Sequence, residues 1–177
     1  ILNVAPDLKD RTIIFNGVSK AYSMTGWRIG YAAGNKEIIK KMKTLQSQST
    51  SCASSVSQYA AISALTQKCE ELPKMNAEYK ERHDYVVKEL NNIPGVTCKE
   101  TDGTFYVFPS FTKYIEESQK INNDDELAMY LLNEGKVAVV PGSAFGMSGH
   151  LRLSIALDLK SLEIAMNRIK KTLNNDE

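Results

Sequence analysis

Short apolar runs and helical spacings of apolar residues alternate along the whole chain. The runs TIIFN at 12–16 and RIGYAAG at 28–34 each end near Gly or Asn, which predicts two strands, the second of them buried. From Lys36 onward, apolar residues recur three and four positions apart, and the same spacing resumes after a Ser/Thr-rich break. We therefore expect two strands followed by two helices.

The rest of the chain continues the alternation with shorter strands. Amphipathic spacing predicts a long helix from about Glu70 to Asn91, stopped by Pro94 and Gly95. Beyond it the pattern predicts strands at 96–99, 104–108, 137–140 and 151–155, and helices at 124–134 and 159–173. This alternation, without internal repeats, favours an α/β or α+β architecture, with a soft domain boundary near residues 66–70.

Composition narrows the class of protein. The chain has 177 residues, 42% of them hydrophobic, which suffices for a core. Its net charge is +1 and its basic residues are scattered, so it lacks the footprint of a nucleic-acid binder. Three cysteines without CxxC spacing and two histidines indicate neither a disulfide framework nor a zinc site. With no apolar run of about 20 residues and no leader pattern, we expect a cytoplasmic protein that binds neither membranes nor nucleic acid.

The segment FNGVSKAYSMTGWRIGYAAG at 15–34 carries the candidate chemistry. Lys20 lies just past a predicted strand end, where ligands of open α/β sheets collect, and Arg28 follows eight residues later. A desolvated lysine near another cation has a lowered pKa, and its neutral amine can form an imine with an aldehyde. An arginine binds phosphate through two N–H groups, and Ser19 or backbone amides can add donors. An aldehyde and a phosphate on one small molecule describe pyridoxal phosphate. The simpler interpretations are a solvated Lys20 and an Arg28 paired with Asp7 or Asp10.

Five strings carry a resemblance to a known family. SKAYSMTGWRIGYAAG closely resembles the lysine-attachment segment of the class I/II aminotransferases, fold-type I pyridoxal-phosphate enzymes, and most of all the bacterial-type aspartate aminotransferases. The strings QSTSCASSVSQYAAISAL, GTFYVFP, VAVVPGSAFG and HLRLSIA follow in the family's order. The resemblance therefore extends over essentially the whole chain.

The resemblance implies a role for each matching residue. Lys20 corresponds to the lysine that holds pyridoxal 5'-phosphate as a covalent aldimine and moves the proton at Cα, and Arg28, with Ser19, to the cofactor's phosphate site. Arg152 matches the arginine that binds the substrate's α-carboxylate, and Phe105 an aromatic residue lining the substrate side. The implied reaction transfers an amino group from an L-amino acid to a 2-oxo acid. On its own, Arg152 could equally form a cross-strand ion pair or face solvent, and Phe105 could belong to the core.

The chain also departs from the family pattern. Gly17 stands where many relatives carry a hydroxyl residue three positions before the lysine. The family's acidic partner of the pyridine nitrogen, its ring tyrosine and its glycine-rich phosphate turn would lie upstream of residue 1. We therefore expect the carboxyl-terminal part of the pyridoxal-phosphate-dependent transferase fold, with residues 1–68 from the large cofactor domain and 69–177 forming the small domain. Such a chain would have no meaningful turnover alone, and the full-length enzyme would be a homodimer.

Two other hypotheses stay open from the sequence. One is a different fold-type I pyridoxal-phosphate enzyme, such as a carbon–sulfur lyase or another amino-acid aminotransferase. The other is a non-catalytic oligomerisation module derived from the small domain, against which the presence of both Lys20 and Arg28 argues. His83 lies mid-helix beside charged residues, so we expect it on a solvated face. The VVPGSAFG stretch is interpreted as a tight connection without chemistry of its own.

Overall fold

The computed structural model describes residues 1–174. Its internal contacts divide the chain into two compact units, Ile1–Pro73 and Lys74–Glu177. None of the helices among the described residues is long and apolar enough to cross a membrane. The assignment of residues 1–68 and 69–177 to a cofactor domain and a small domain stays a prediction.

The first unit contains one strand pair. After a 3₁₀ turn at Pro6–Arg11, strand β1 (Ile14–Gly17) pairs antiparallel with β2 (Gly30–Ala33), and Gly17 lies opposite Gly30. The prediction of a buried strand at 28–34 was wrong in length, because the strand covers only Gly30–Ala33. It was also wrong in burial: no helix of this unit packs broadly on the strand pair, so side chains such as Tyr31 stay exposed.

Two helices follow the strand pair. Helix α1 (Lys36–Ser49) begins where the Asn35 side chain accepts hydrogen bonds from the amides of Glu37 and Ile38, an N-cap that satisfies two otherwise unpaired donors. Helix α2 (Ser55–Thr66) follows the Ser/Thr-rich break. Both helices were predicted from apolar spacing.

The second unit is a short antiparallel sheet with helices around it. Helix α3 (Glu71–Asn91) starts just before the unit boundary, and α4 (Thr112–Glu117), α5 (Asp124–Asn133) and α6 (Leu159–Asn174) follow. Strands β3 (Tyr106–Val107), β4 (Val140–Pro141) and β5 (Leu151–Ser154) lie in the order β3-β5-β4. A continuous core joins α3, α5, α6 and the sheet; its buried members are Val86, Val87, Leu90, Ile93, Val96, Cys98, Val107, Phe111, Ile121, Leu127, Ala128, Leu131, Leu151, Leu153, Ile155, Leu162, Met166, Ile169 and Leu173.

The short strands differ most from the prediction. Residues 96–99 form no strand: Thr97 makes one isolated bridge with Ser110, and the Asn91 side chain bonds both the N–H and the carbonyl of Cys98. The Asn91 side-chain amide thus satisfies the backbone groups of Cys98 that a neighbouring strand would otherwise pair. The strand predicted at 137–140 is limited to Val140–Pro141, and the strands predicted at 104–108 and 151–155 are shorter than expected.

His83 is the clearest error of the sequence-based interpretation. Its side chain is buried rather than solvated. Nε2 accepts a hydrogen bond from the Thr101 amide at 3.2 Å, and Nδ1 lies 3.1 Å from Asp84 Oδ1. Because a backbone N–H can only donate, this arrangement places the ring proton on Nδ1. The histidine thereby anchors the 101–104 turn to α3.

Candidate active site

The connection between β1 and β2 brings the two basic candidates to one end of the strand pair. Lys20 follows the end of β1 by three residues, and Arg28 precedes the start of β2 by two. Because Gly17 and Gly30 are register partners, both strand ends lie side by side. The backbone therefore presents a primary amine and a guanidinium from the same end of the sheet.

A buried residue and local hydrogen bonds fix the Lys20 turn. Val18 is completely buried, and its carbonyl accepts a hydrogen bond from the Tyr22 amide at 3.2 Å. The Lys20 carbonyl accepts from the Ser23 amide at 3.1 Å. The Lys20 side chain itself is exposed and Ser19 is half-buried.

Arg28 has an unusual backbone and no acidic partner among the described residues. Its φ angle is +50°, in the left-handed region. Its Nη1 donates to the Thr25 carbonyl at 2.9 Å, and within residues 1–174 it has no carboxylate at ion-pair distance. The alternative pairing with Asp7 or Asp10 is thus not observed. A guanidinium has five N–H donors, so the bond to Thr25 is compatible with bidentate binding of a phosphate.

Arg152 lies in the second unit, against aromatic rings. It projects from β5 on the face opposite the buried side chains of Leu151 and Leu153. Its Cζ atom is 4.4 Å from the ring centroid of Tyr106 and 4.5 Å from that of Phe145, which is cation–π distance. The cross-strand ion pair considered from the sequence is not formed with any described carboxylate. Arg152 is instead flanked by two aromatic rings, which contact its guanidinium and accept no conventional hydrogen bond from it.

The rings around Arg152 extend into a larger group. Phe108 meets Phe145 edge-on with centroids 6.2 Å apart and stacks on His150 at 5.2 Å. Arg152 thus lies in a group that also contains Tyr106, Phe108, Phe145 and His150. Phe105 lies beside it, 4.3 Å from Tyr106 between centroids, and is half-buried against the core.

The comparison with known families decides what these features belong to. The family of aminotransferases of class I and II matches residues 1–169 of the chain. The chain belongs to this family.

Individual aminotransferases match over nearly the whole chain. An aspartate aminotransferase of Rhizobium meliloti strain 1021 is 46% identical over 168 residues, which are 93% of the chain and 41% of that relative. An aspartate/prephenate aminotransferase of Nitrosomonas europaea is 44% identical over 181 residues, 98% of the chain and 45% of the relative. The crystal structure of the Rhizobium meliloti aspartate aminotransferase matches with a TM-score of 0.92 and 43% identity, covering 98% of this chain and 44% of that one. The chain thus spans less than half the length of these relatives. The structural match confirms the predicted α/β aminotransferase fold.

Sequence reasoning also missed a buried carboxylate of this aminotransferase chain. Asp124, at the start of α5, is 2% exposed. Its Oδ2 accepts from the Ser143 amide at 2.7 Å and its Oδ1 from the Gly149 amide at 3.2 Å. Burial alone would raise the pKa of Asp124, but the hydrogen bonds from Ser143 and Gly149 outweigh it, so the pKa lies below its ordinary value.

The missed residues left only weak signals in the sequence. Asp124 is one of three acids in the first turn of a predicted helix, which normally indicates favourable interaction with the helix dipole and no more. Phe145 belongs to the VVPGSAFG stretch, which was interpreted as a connection without chemistry. Its approach to Arg152 depends on how the turn folds back between β4 and β5.

Proposed function

We propose that this chain works as part of a pyridoxal-phosphate-dependent aminotransferase, with aspartate as amino donor and a 2-oxo acid as acceptor. The observation that carries the proposal is the common origin of Lys20 and Arg28 at one end of the β1–β2 pair. An amine and a guanidinium presented together suit a ligand with an aldehyde and a phosphate. The name of the Rhizobium meliloti relative supports aspartate as the donor.

The proposed residues would share the tasks at the cofactor. Lys20 would hold pyridoxal phosphate through its aldehyde group, and Arg28 with Ser19 would bind its phosphate group. When bound, the cofactor supplies an electron sink for the bond that breaks at the substrate's Cα. Lys20 would then move the proton between the substrate's Cα and the cofactor's C4′, as a general base and acid. All three of the proposed cofactor contacts thus lie within 15–34.

Arg152 is the proposed site for the substrate's α-carboxylate. A strand backbone fixes the base of its side chain, and the two rings limit where the guanidinium can go. A bidentate pair between this fork and a carboxylate would orient the Cα–H bond. Phe105 is proposed as part of the pocket wall. We further propose a cytoplasmic homodimer, with residues 1–68 contributing to the cofactor domain and 69–177 to the small domain.

The first experiment is a titration of the chain with pyridoxal phosphate, followed by borohydride reduction and peptide mapping. We expect labelling concentrated on Lys20, abolished in Lys20→Ala and unchanged in Lys40→Ala, an exposed lysine on α1. Arg28→Ala should weaken saturation, and Arg28→Lys should recover it only in part, because an ammonium cannot form the two-pronged contact. Labelling spread evenly over many lysines both in this chain and in the full-length protein that contains it, with no change in Lys20→Ala, would contradict the assignment of Lys20.

The second experiment measures amino transfer by the protein that contains this chain at full length. We expect aspartate to serve as donor and Lys20→Ala to lower the rate by about 10²–10⁴-fold, the contribution typical of a positioned general acid–base. The acceptor panel includes prephenate, because the Nitrosomonas europaea relative carries that substrate in its name. Release of pyruvate from cysteine-like substrates without amino transfer would favour a carbon–sulfur lyase instead.

A further inference from the structure

The turn between β4 and β5 carries Phe145 to Arg152. Residues Gly142–Phe145 form a 3₁₀ turn that ends at Gly146, whose φ angle is +78°. The Gly142 amide donates to the His150 carbonyl at 2.7 Å, which closes the turn at its base. Phe145 is 49% exposed, yet its ring lies 4.5 Å from the Arg152 guanidinium carbon. The turn and the edge-on contact with Phe108, rather than burial in the core, therefore position this ring.

A single carboxylate holds both ends of that turn. Asp124 Oδ2 accepts from the Ser143 amide near the start of the turn, and Oδ1 accepts from the Gly149 amide near its end. Hydrogen bonds to an ionised acceptor are roughly twice as strong as neutral ones, and this carboxylate is almost fully shielded from water.

We propose that Asp124 is a positioning residue for Arg152, acting through the turn that presses Phe145 against the guanidinium. The proposal rests on the role proposed above for Arg152 as the carboxylate-binding residue. An unrestrained arginine side chain samples many rotamers, and a substrate carboxylate would have to overcome that conformational entropy on binding. Because the rings of Phe145 and Tyr106 both contact the Arg152 guanidinium, its orientation is restricted before the substrate binds.

The alternative is that Asp124 only stabilises the second unit. Buried carboxylates at helix starts often serve that purpose alone, so loss of stability in an Asp124 variant would not separate the two roles. A positioning role requires in addition that Arg152 responds when the turn is released. The side chain of Arg152 itself therefore has to be observed.

The test uses NMR spectroscopy of the complete 177-residue chain, with Asp124→Asn compared with Asp125→Asn. Asp125 is its exposed neighbour in the same helical turn, so both variants lose one charge at the same place. In Asp124→Asn we expect amide exchange at Ser143 and Gly149 to be at least about tenfold faster, since one accepting oxygen becomes a donor. The ring-current-shifted side-chain signals of Arg152 should move toward unstructured values. Asp125→Asn should leave both readouts as in the wild type.

A second variant keeps the proposal testable if Asp124→Asn fails to fold. Phe145→Ala retains the Asp124 carboxylate and alters a half-exposed side chain. We expect the Arg152 signals to move while the Ser143 and Gly149 amides keep their slow exchange. Unchanged Arg152 signals in Phe145→Ala, or in an Asp124→Asn protein with fast amides, would overturn the positioning role.

Kinetics of the full-length protein supply the functional arm. Asp124→Asn should raise KM for the amino-acid donor about five- to tenfold and change kcat less, while the saturation of Lys20 by pyridoxal phosphate stays as in the wild type. A kcat loss with unchanged KM would overturn the inference. Absence of amino transfer in the wild-type protein would instead contradict the proposed function, and the NMR readouts would still decide whether Asp124 orders Arg152.

Discussion

The two units of the chain differ in how they bury apolar side chains. Of residues 1–73, all of which the structure describes, only Val18 and Ala61 are buried hydrophobic residues, while Leu45 and Tyr59 are more than 70% exposed. The described residues of the second unit share one continuous buried core. Since burial of apolar surface is the main driving force of folding, at roughly 25 cal/mol per Å², the second unit has its own source of stability and the first has little.

The proposed site divides along the same line. Lys20 and Arg28, which would bind the cofactor, belong to the unit that lacks a core. Arg152, which would bind the substrate, belongs to the unit that has one. The proposed substrate side therefore has packing of its own to order it, and the described residues 1–73 supply no comparable packing for the proposed cofactor side.

The largest expected difference comes from truncating one leucine in each unit. Leu131→Ala removes a fully buried side chain of α5 and should lower the free energy of unfolding by about 3 kcal/mol. Leu45→Ala removes a side chain that is 73% exposed, and its effect should stay within about 0.5 kcal/mol. Urea unfolding of both variants and of the wild type measures the two losses in unfolding free energy. Equal losses would mean that Leu45 packs in solution and would break the contrast.

Thiol reactivity gives a second comparison of the units. Cys52 and Cys69 are exposed in the first unit, whereas Cys98 is buried in the second. Burial raises the pKa of the Cys98 thiol to about 11, against a weaker opposing hydrogen bond from the Phe108 backbone. At pH 8 we expect Cys98 to react with iodoacetamide more than about a hundredfold more slowly than Cys52, because only the thiolate is nucleophilic. Peptide mass spectrometry separates the three sites, and comparable rates would show that the core opens readily.

Acid should weaken the second unit through Asp124. Its pKa is lowered in the folded chain, so its stabilising contribution is complete above the ordinary aspartate pKa of about 3.9 and is lost as pH falls through the lower folded value. The difference in unfolding free energy between wild type and Asp124→Asn should therefore be constant near pH 6–7 and shrink toward pH 3. Asp125→Asn is again the matched control. A difference that grows on acidification would contradict the assigned sign.

Long periodic elements were predictable from the sequence, and short ones were not. Helices α3 and α6 lie within about one residue of their predicted bounds, because four or more turns of apolar spacing leave little ambiguity. The strand predicted at 96–99 is absent because Asn91, seven positions from Cys98, satisfies the backbone there. The spacing of apolar residues that predicts a strand does not reveal whether a side chain will take the hydrogen bonds of a neighbouring strand.

The candidate site shows the same limit. Lys20, Arg28 and Arg152 were found from motif strings, and their roles stay predictions. Asp124 could not be found in this way, because its partners lie 19 and 25 residues away and become neighbours only when the turn closes. His83 was misjudged for the same reason, since its partner Thr101 is 18 residues distant. Hydrogen bonds to distant backbone groups leave no pattern along the chain.

The left-handed backbone at Arg28 lowers the stability of the loop, whereas the guanidinium serves the proposed binding of the cofactor. A non-glycine residue in this conformation costs about 1 kcal/mol, which glycine would avoid. Arg28→Gly should thus relax the loop and yet remove the guanidinium from the end of the strand pair. A protein selected for stability alone would be expected to accept that exchange. If Arg28 binds the cofactor's phosphate as proposed, the loop keeps this strained backbone so that a guanidinium stays at the end of the strand pair.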